Sequence, residues 1–124
     1  MGPAGGGQGQ GLPRARRVRK RPEYLEIQGG GRRFVGDHYM LFARRASEPT
    51  RPARFGVTVS RKVGGAVLRN KVKRWIRESC RRMKTEFPDG LDLVIVARPS
   101  AAAAGYGPTT SELANLARRV RAQR

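Results

Sequence analysis

Arg54 to Glu78 reads RFGVTVSRKVGGAVLRNKVKRWIRE, and its hydrophobic period changes halfway along. Through Phe55, Val57 and Val59 the apolar residues alternate with Gly56, Thr58 and Ser60, the signature of a half-buried strand. From Ala66 the period lengthens to that of a helix, which the spacing carries on to Phe87. At 100° per residue, Leu68, Val72, Trp75, Ile76, Ser79, Cys80 and Met83 fall within an arc of about 140°. Arg69, Asn70, Lys73, Arg74, Arg77, Arg81 and Lys84 fill the rest. A strand, a glycine turn and a two-faced helix therefore follow one another, with one helix face buried and the other cationic. Only Glu78 offers that face a local acidic partner.

Working outward, LDLVIVAR from Leu91 to Arg98 is a nearly continuous apolar run and reads as a central strand. The stretch 99–108 reads as a loop. Thr109 and Glu112 have the spacing of a capping box, followed by the apolar stripe Leu113, Leu116, Ala117 and Val120 of a last helix. Upstream, a short helix is expected from Pro22 to Gln28, stopped by glycines 29–31. Phe34 and Val35 form a brief strand. His38 to Arg44 form a longer one, with Tyr39, Leu41 and Ala43 on one face and Met40 and Phe42 on the other. SEPTRP, with its two prolines, is a loop. Helix, strands, long helix, strand and helix make an α+β sandwich, with helices over a small sheet.

The 124 residues suffice for one small domain with a modest core. Residues 1–22 divide into a Gly/Gln arm and the basic run RARRVRKR. Low hydrophobicity and like charges are expected to keep them disordered until an anion meets them. We place the boundary between a Gly-rich arm, 1–13, and the domain, 14–124. The start lacks the apolar core of a secretory signal, and its glycines suit a flexible arm better than an amphipathic transit helix. No apolar run approaches the ~18 residues that span a bilayer. The single Cys80 excludes an internal disulfide and fits a reducing cytoplasm.

Net charge is +18, from 27 Lys and Arg against 9 Asp and Glu. Such an excess repels itself unless a polyanion is near, and nucleic acid is the first partner to consider. Catalytic chemistry is missing. His38 is alone, the carboxylates are scattered without metal-ligand spacing, and KVGGAV lacks the Lys and Ser/Thr of a phosphate-binding loop. Cys80 lies on the apolar arc and reads as a small core residue. The binding chemistry is clear by contrast. Arg69, Lys73 and Arg77 recur every fourth residue, about 6 Å apart along one face, close to the phosphate spacing of a nucleic-acid strand. Composition leaves DNA and RNA both open. Tyr24 and Phe42 read equally well as core residues or as stacking platforms for unpaired bases.

The stretch Arg54 to Glu78 closely resembles the bacterial ribonuclease P protein subunit. The family's signature is an Arg-Asn-Arg-x-x-Lys-Arg-x-x-Arg helix after a Gly-containing strand and a Ser-Lys/Arg-Lys-x-Gly turn. Here it reads Arg69, Asn70, Lys71, Lys73, Arg74 and Arg77, and the likeness extends over residues 14–122. The resemblance implies an α-β-β-β-α-β-α sandwich with a small, mostly antiparallel sheet, like the second domain of ribosomal protein S5. Its strand–helix–strand crossover would be left-handed, where pattern alone predicts a right-handed one. It also implies a cytoplasmic protein acting in the removal of the 5′ leader from precursor tRNA. In that enzyme a large RNA subunit holds Mg²⁺ and performs the hydrolysis. The partners implied are ribonuclease P RNA and the precursor tRNA leader, with neither DNA nor membrane. Arg61, Lys62, Arg69, Asn70, Lys71, Lys73, Arg74 and Arg77 would face the RNA subunit. Tyr24, Phe42, Arg69, Lys73 and Arg77 would meet the leader. No catalytic residue and no metal ligand is assigned to the protein. Two positions depart from the family pattern: Lys71 replaces Arg, losing the planar fork, and Gln28 stands where Phe is frequent.

Overall fold

The computed structural model describes residues 16–18 and 20–123, so the Gly-rich arm lies outside the described residues. Helix α1 spans Arg21–Gly30, with Pro22 in its first turn and the Glu23 carboxylate accepting from the Lys20 amide at 3.3 Å. The strands are β1 (Arg32–Val35), β2 (Tyr39–Arg45), β3 (Arg54–Thr58) and β4 (Leu91–Ala97). Helix α2 is Ala66–Arg82 and helix α3 is Tyr106–Ala122. The order α-β-β-β-α-β-α is the expected one.

The strands lie side by side as β1-β2-β4-β3. β1 with β2 and β2 with β4 are antiparallel, while β3 and β4 are parallel. A parallel neighbour needs a crossover, and α2 supplies it. Because the strand period is two, the two sheet faces are read directly from the register. Tyr39, Leu41, Phe55, Leu93 and Ile95 enter the main core beneath α2 and α3, where they meet Val72, Ile76, Cys80, Leu113 and Leu116. The opposite face belongs to α1, with a smaller cluster of Val18, Ile27 and Val94 flanked by Tyr24, Phe42 and Val96.

Four expectations need correction. The long helix stops at Arg82, and a 3-10 turn over Lys84–Glu86 swings Phe87 back to meet Phe55 edge-to-face at 5.2 Å. Residues 99–108 are not all loop: Pro99–Ala103 is a 3-10 helix, and α3 begins at Tyr106, capped by Gly105 at φ +85°. Thr109 is thus already inside the helix and forms no capping box with Glu112. Its hydroxyl joins the buried Tyr39 hydroxyl at 2.6 Å and donates to the Gly105 carbonyl at 2.7 Å. Glu112 instead reaches across to the β1–β2 turn and accepts from the His38 and Tyr39 amides at 2.9 and 2.8 Å. Finally, the basic run is not wholly free. Val18 is buried, its amide donates to the Phe55 carbonyl at 2.9 Å, and Arg17 pairs in parallel with Phe55 on the free edge of β3. Burial of Val18 in the second core anchors this part of the run.

Candidate nucleic-acid interface

Helix α2 lies over β3, and α3 lies over β1 and β2, so the two helices divide the buried face between them. The Ser79 hydroxyl donates to the Trp75 carbonyl and bonds the Thr110 hydroxyl, both at 2.8 Å, which fixes the flank of α2 that faces α3. Counting at 100° per residue, Asn70, Lys73 and Arg77 occupy the other flank, above the free edge of β3. Arg74 and Lys71 point outward between them. Asn70, Lys71 and Arg74 are exposed, while Lys73 and Arg77 are half-buried along their stems.

Arg69 is placed differently from the sequence reading. Its angle falls between Ile76 and Cys80, inside the apolar arc. It is accordingly half-buried, with an enclosed Nε that has no hydrogen-bond partner. Arg17 shares that property, and sequence reasoning missed it altogether. Directly paired residues point to the same side of a sheet. Since Phe55 faces α2, Arg17 does too, beside the row of cations on that helix. Its signal was the apolar Val18 inside a charged run.

The turn joining β3 to α2 exposes Arg61 and Lys62, and the Gly64 amide closes it on the Arg61 carbonyl at 3.2 Å. Gly64 holds φ +154°, and a Cβ there would press on Leu68 at 2.6 Å.

Across the α1 face, the register sets out parallel rows. Arg44, Asp92 and Arg54 form one, and Phe42, Val94 and Gly56 the next. The third comprises Val35, Met40, Val96 and Thr58. α1 covers the middle row. The Tyr24 ring lies over Gly56 so closely that a Cβ would meet it at 2.8 Å, and the Tyr24 hydroxyl accepts from the Val57 amide at 3.2 Å. The third row stays partly open: Val35 is 42% exposed, and Met40, Val96 and Thr58 are half-buried. Tyr24 and Phe42, also half-buried, border it. This row ends where β3 passes into the 60–65 turn and α2 begins. One end of the molecule therefore carries an open apolar strip, a basic turn and a basic helix. Gln28 is half-buried on α1 and adds no aromatic surface.

Acidic groups are engaged elsewhere. Asp92 binds Arg51 at 3.0 Å and Arg54 at 2.9 Å, and Arg54 also binds Glu23 at 3.2 Å. The Asp92 bond holds the Arg54 guanidinium above its usual range. Glu26 pairs with Arg44, Glu48 with Arg51 and Glu86 with Arg121. Glu78 turns to Arg81 and Arg82, and Glu112 to backbone amides. Seven of the nine carboxylates are so occupied. Among the described residues none pairs with Arg61, Lys62, Arg69, Lys71, Lys73, Arg74 or Arg77. No three His, Cys, Asp or Glu side chains among them are grouped to hold a metal ion. No helix there is long and apolar enough to cross a membrane.

The family model described as Ribonuclease P matches residues 12–121. The chain belongs to the ribonuclease P protein family. Its relatives include the ribonuclease P protein component of Desulfovibrio desulfuricans, 42% identical over 111 residues, covering 88% of this chain and 85% of that one. That of Microcystis aeruginosa is 36% identical over 109 residues, covering 86% and 91%. Among solved structures, the ribonuclease P protein of Staphylococcus aureus superposes with a TM-score of 0.78 at 27% identity, covering 87% of this chain and 97% of that one. The Thermotoga maritima protein gives 0.75 at 32%, covering 83% and 96%. The architecture is thus the ribonuclease P protein fold, and the process it serves is tRNA processing.

Proposed function

We propose that this chain is the RNA-binding protein subunit of ribonuclease P, acting with a catalytic RNA to remove the 5′ leader of precursor tRNA. One observation carries the reading: Lys71, Lys73, Arg74 and Arg77 of α2 and Arg61 and Lys62 of the 60–65 turn, without ion-pair partners among the described residues, adjoin the open row of the sheet at one end of the molecule. RNA phosphates would lie along Asn70, Lys73 and Arg77, with Arg61, Lys62, Lys71 and Arg74 around them and Arg17 extending the row. Arg69 would contribute its outer nitrogens only. A single-stranded leader would cross the row of Val35, Met40, Val96 and Thr58, bordered by Tyr24 and Phe42, its phosphates reaching Lys73 and Arg77. An apolar strip beside cations suits unpaired bases, whose faces need a flat partner while the backbone needs neutralising.

The donor set does not suit a resident magnesium ion, since the carboxylates are scattered and most already face arginines or amides. In this reading Mg²⁺ belongs to the RNA subunit, and no step runs through a metal held by this chain. The protein binds and orients, which raises substrate affinity when divalent cations are scarce. The test is cleavage of precursor tRNA by a bacterial ribonuclease P RNA at low Mg²⁺, with and without the protein. Stimulated cleavage at the mature 5′ end is expected. Equal cleavage without the protein would overturn the proposal, and a ribosomal-type RNA-binding protein would give no such stimulation.

A further inference from the structure

The flank of α2 that faces α3 carries a second surface, away from Lys73 and Arg77. Trp75, the chain's single tryptophan, packs against the core yet stays half-buried. With Tyr106, the first residue of α3, it lines a groove whose other walls are Arg74, Glu78, Arg81 and Arg82. Two planar rings and three guanidiniums thus surround one carboxylate.

That carboxylate does not cancel the cations so much as arrange them. Glu78 accepts from the Arg81 Nη2, and from the Arg82 Nε at 3.2 Å. These bonds hold its carboxyl below the usual carboxylate range, so it stays charged. Each guanidinium keeps further N–H groups for another acceptor. Arg81 and Tyr106 line the same groove, so ring and cation share it. Arg74 has no ion-pair partner among the described residues.

A ligand that satisfies every wall must be flat, aromatic and anionic. An aliphatic carboxylate would leave the rings unused, and a neutral apolar group would bury arginines without an acceptor. A nucleotide has both halves: a base to stack on an indole or phenol, and a phosphate for a guanidinium fork. We propose that this groove is a second nucleotide-binding site, taking an unpaired RNA base against Trp75 and Tyr106 and its phosphate on Arg74 and Arg82. Its rings lie on the opposite flank from the row proposed above, the two surfaces share only Arg74, and the stacking at Trp75 does not depend on that reading. An RNA engaging both would grip α2 from two sides.

The single tryptophan reports its own occupancy, because stacking a base on the indole quenches its emission. The measurement is a titration of the full chain with a single-stranded hexanucleotide, in an Arg69→Ala/Lys73→Ala/Arg77→Ala background that removes the other flank. Saturable quenching is expected. Tyr106→Ala and Arg82→Ala, added singly, should each weaken it by about tenfold. Labelled-hexamer anisotropy provides a reading independent of emission: Trp75→Phe should retain the affinity of the background and Trp75→Ala should weaken it. Absence of quenching at saturating hexamer would overturn the site. So would quenching indifferent to Tyr106 and Arg82, or equal quenching by polyglutamate, which would mark a surface for acidic peptides instead. Leader removal is assayed separately, so its failure and that of this site are distinguishable.

Discussion

Replacing Arg69, Lys73 and Arg77 together with alanine tests the cationic flank quantitatively. Lys73 and Arg77 stand one turn apart on the outward flank, about 6 Å, and Arg69 one turn before them reaches the same strand only with its outer nitrogens. None has an acidic partner among the described residues, so no internal ion pair is broken by their removal. Each neutralised phosphate contributes about 0.7–0.9 to the slope of log affinity against log salt. Removing two full contacts and the partial one of Arg69 should lower that slope by about 1.5–2.5, which at 0.1 M salt is roughly a 30–300-fold loss relative to a 1 M reference. The assay is filter or anisotropy binding to ribonuclease P RNA across a salt series, beside a thermal melt of the same variant. Weakened affinity with an unchanged slope would refute phosphate neutralisation by this row. Arg69 sets an internal check: its enclosed Nε predicts that Arg69→Ala alone changes the slope least and the melt most.

Three further outcomes concern packing and reactivity. Gly56→Ala must push the Tyr24 ring off the sheet, since the new methyl would sit 2.8 Å from it; a loss of about 1–3 kcal/mol in denaturant unfolding is expected. Glu112→Ala leaves the His38 and Tyr39 amides without their acceptor and should cost about 1–3 kcal/mol, readable in the same assay. Cys80 is fully buried, and desolvation pushes its thiol well above the ordinary range, so a thiol reagent should label it only as the protein unfolds.

Local periodicity carried most of the architecture. The alternation around Phe55 and Val57 and the 3.6 period from Val72 to Cys80 both appear where expected, because each element must hide one face regardless of its neighbours. What misled were signals whose meaning is set across the chain. Thr109 and Glu112 look like a cap, yet each is claimed by the β1–β2 hairpin through Tyr39 and His38, partners some seventy positions earlier. Trp75 lies on the apolar arc, but that arc is wider than the sheet beneath it, so the ring sits at the rim. Trp75→Ala should therefore cost about 1–2 kcal/mol rather than the 3–5 of a central aromatic. The cations of the interface were legible as a group. Arg17 was not, because its position depends on a β-bridge to the distant Phe55, at which the neighbouring Val18 only hints.

The capture of most carboxylates by arginines remote from the α2 row has a thermodynamic corollary. Positive charge in that row pairs with no carboxylate among the described residues, so the isolated protein carries a standing electrostatic stress. Any polyanion that engages the folded form relieves it and, by mass action, raises the melting temperature. Copies made in excess of their RNA would then be the least durable, and the protein's abundance would follow that of its nucleic-acid partner.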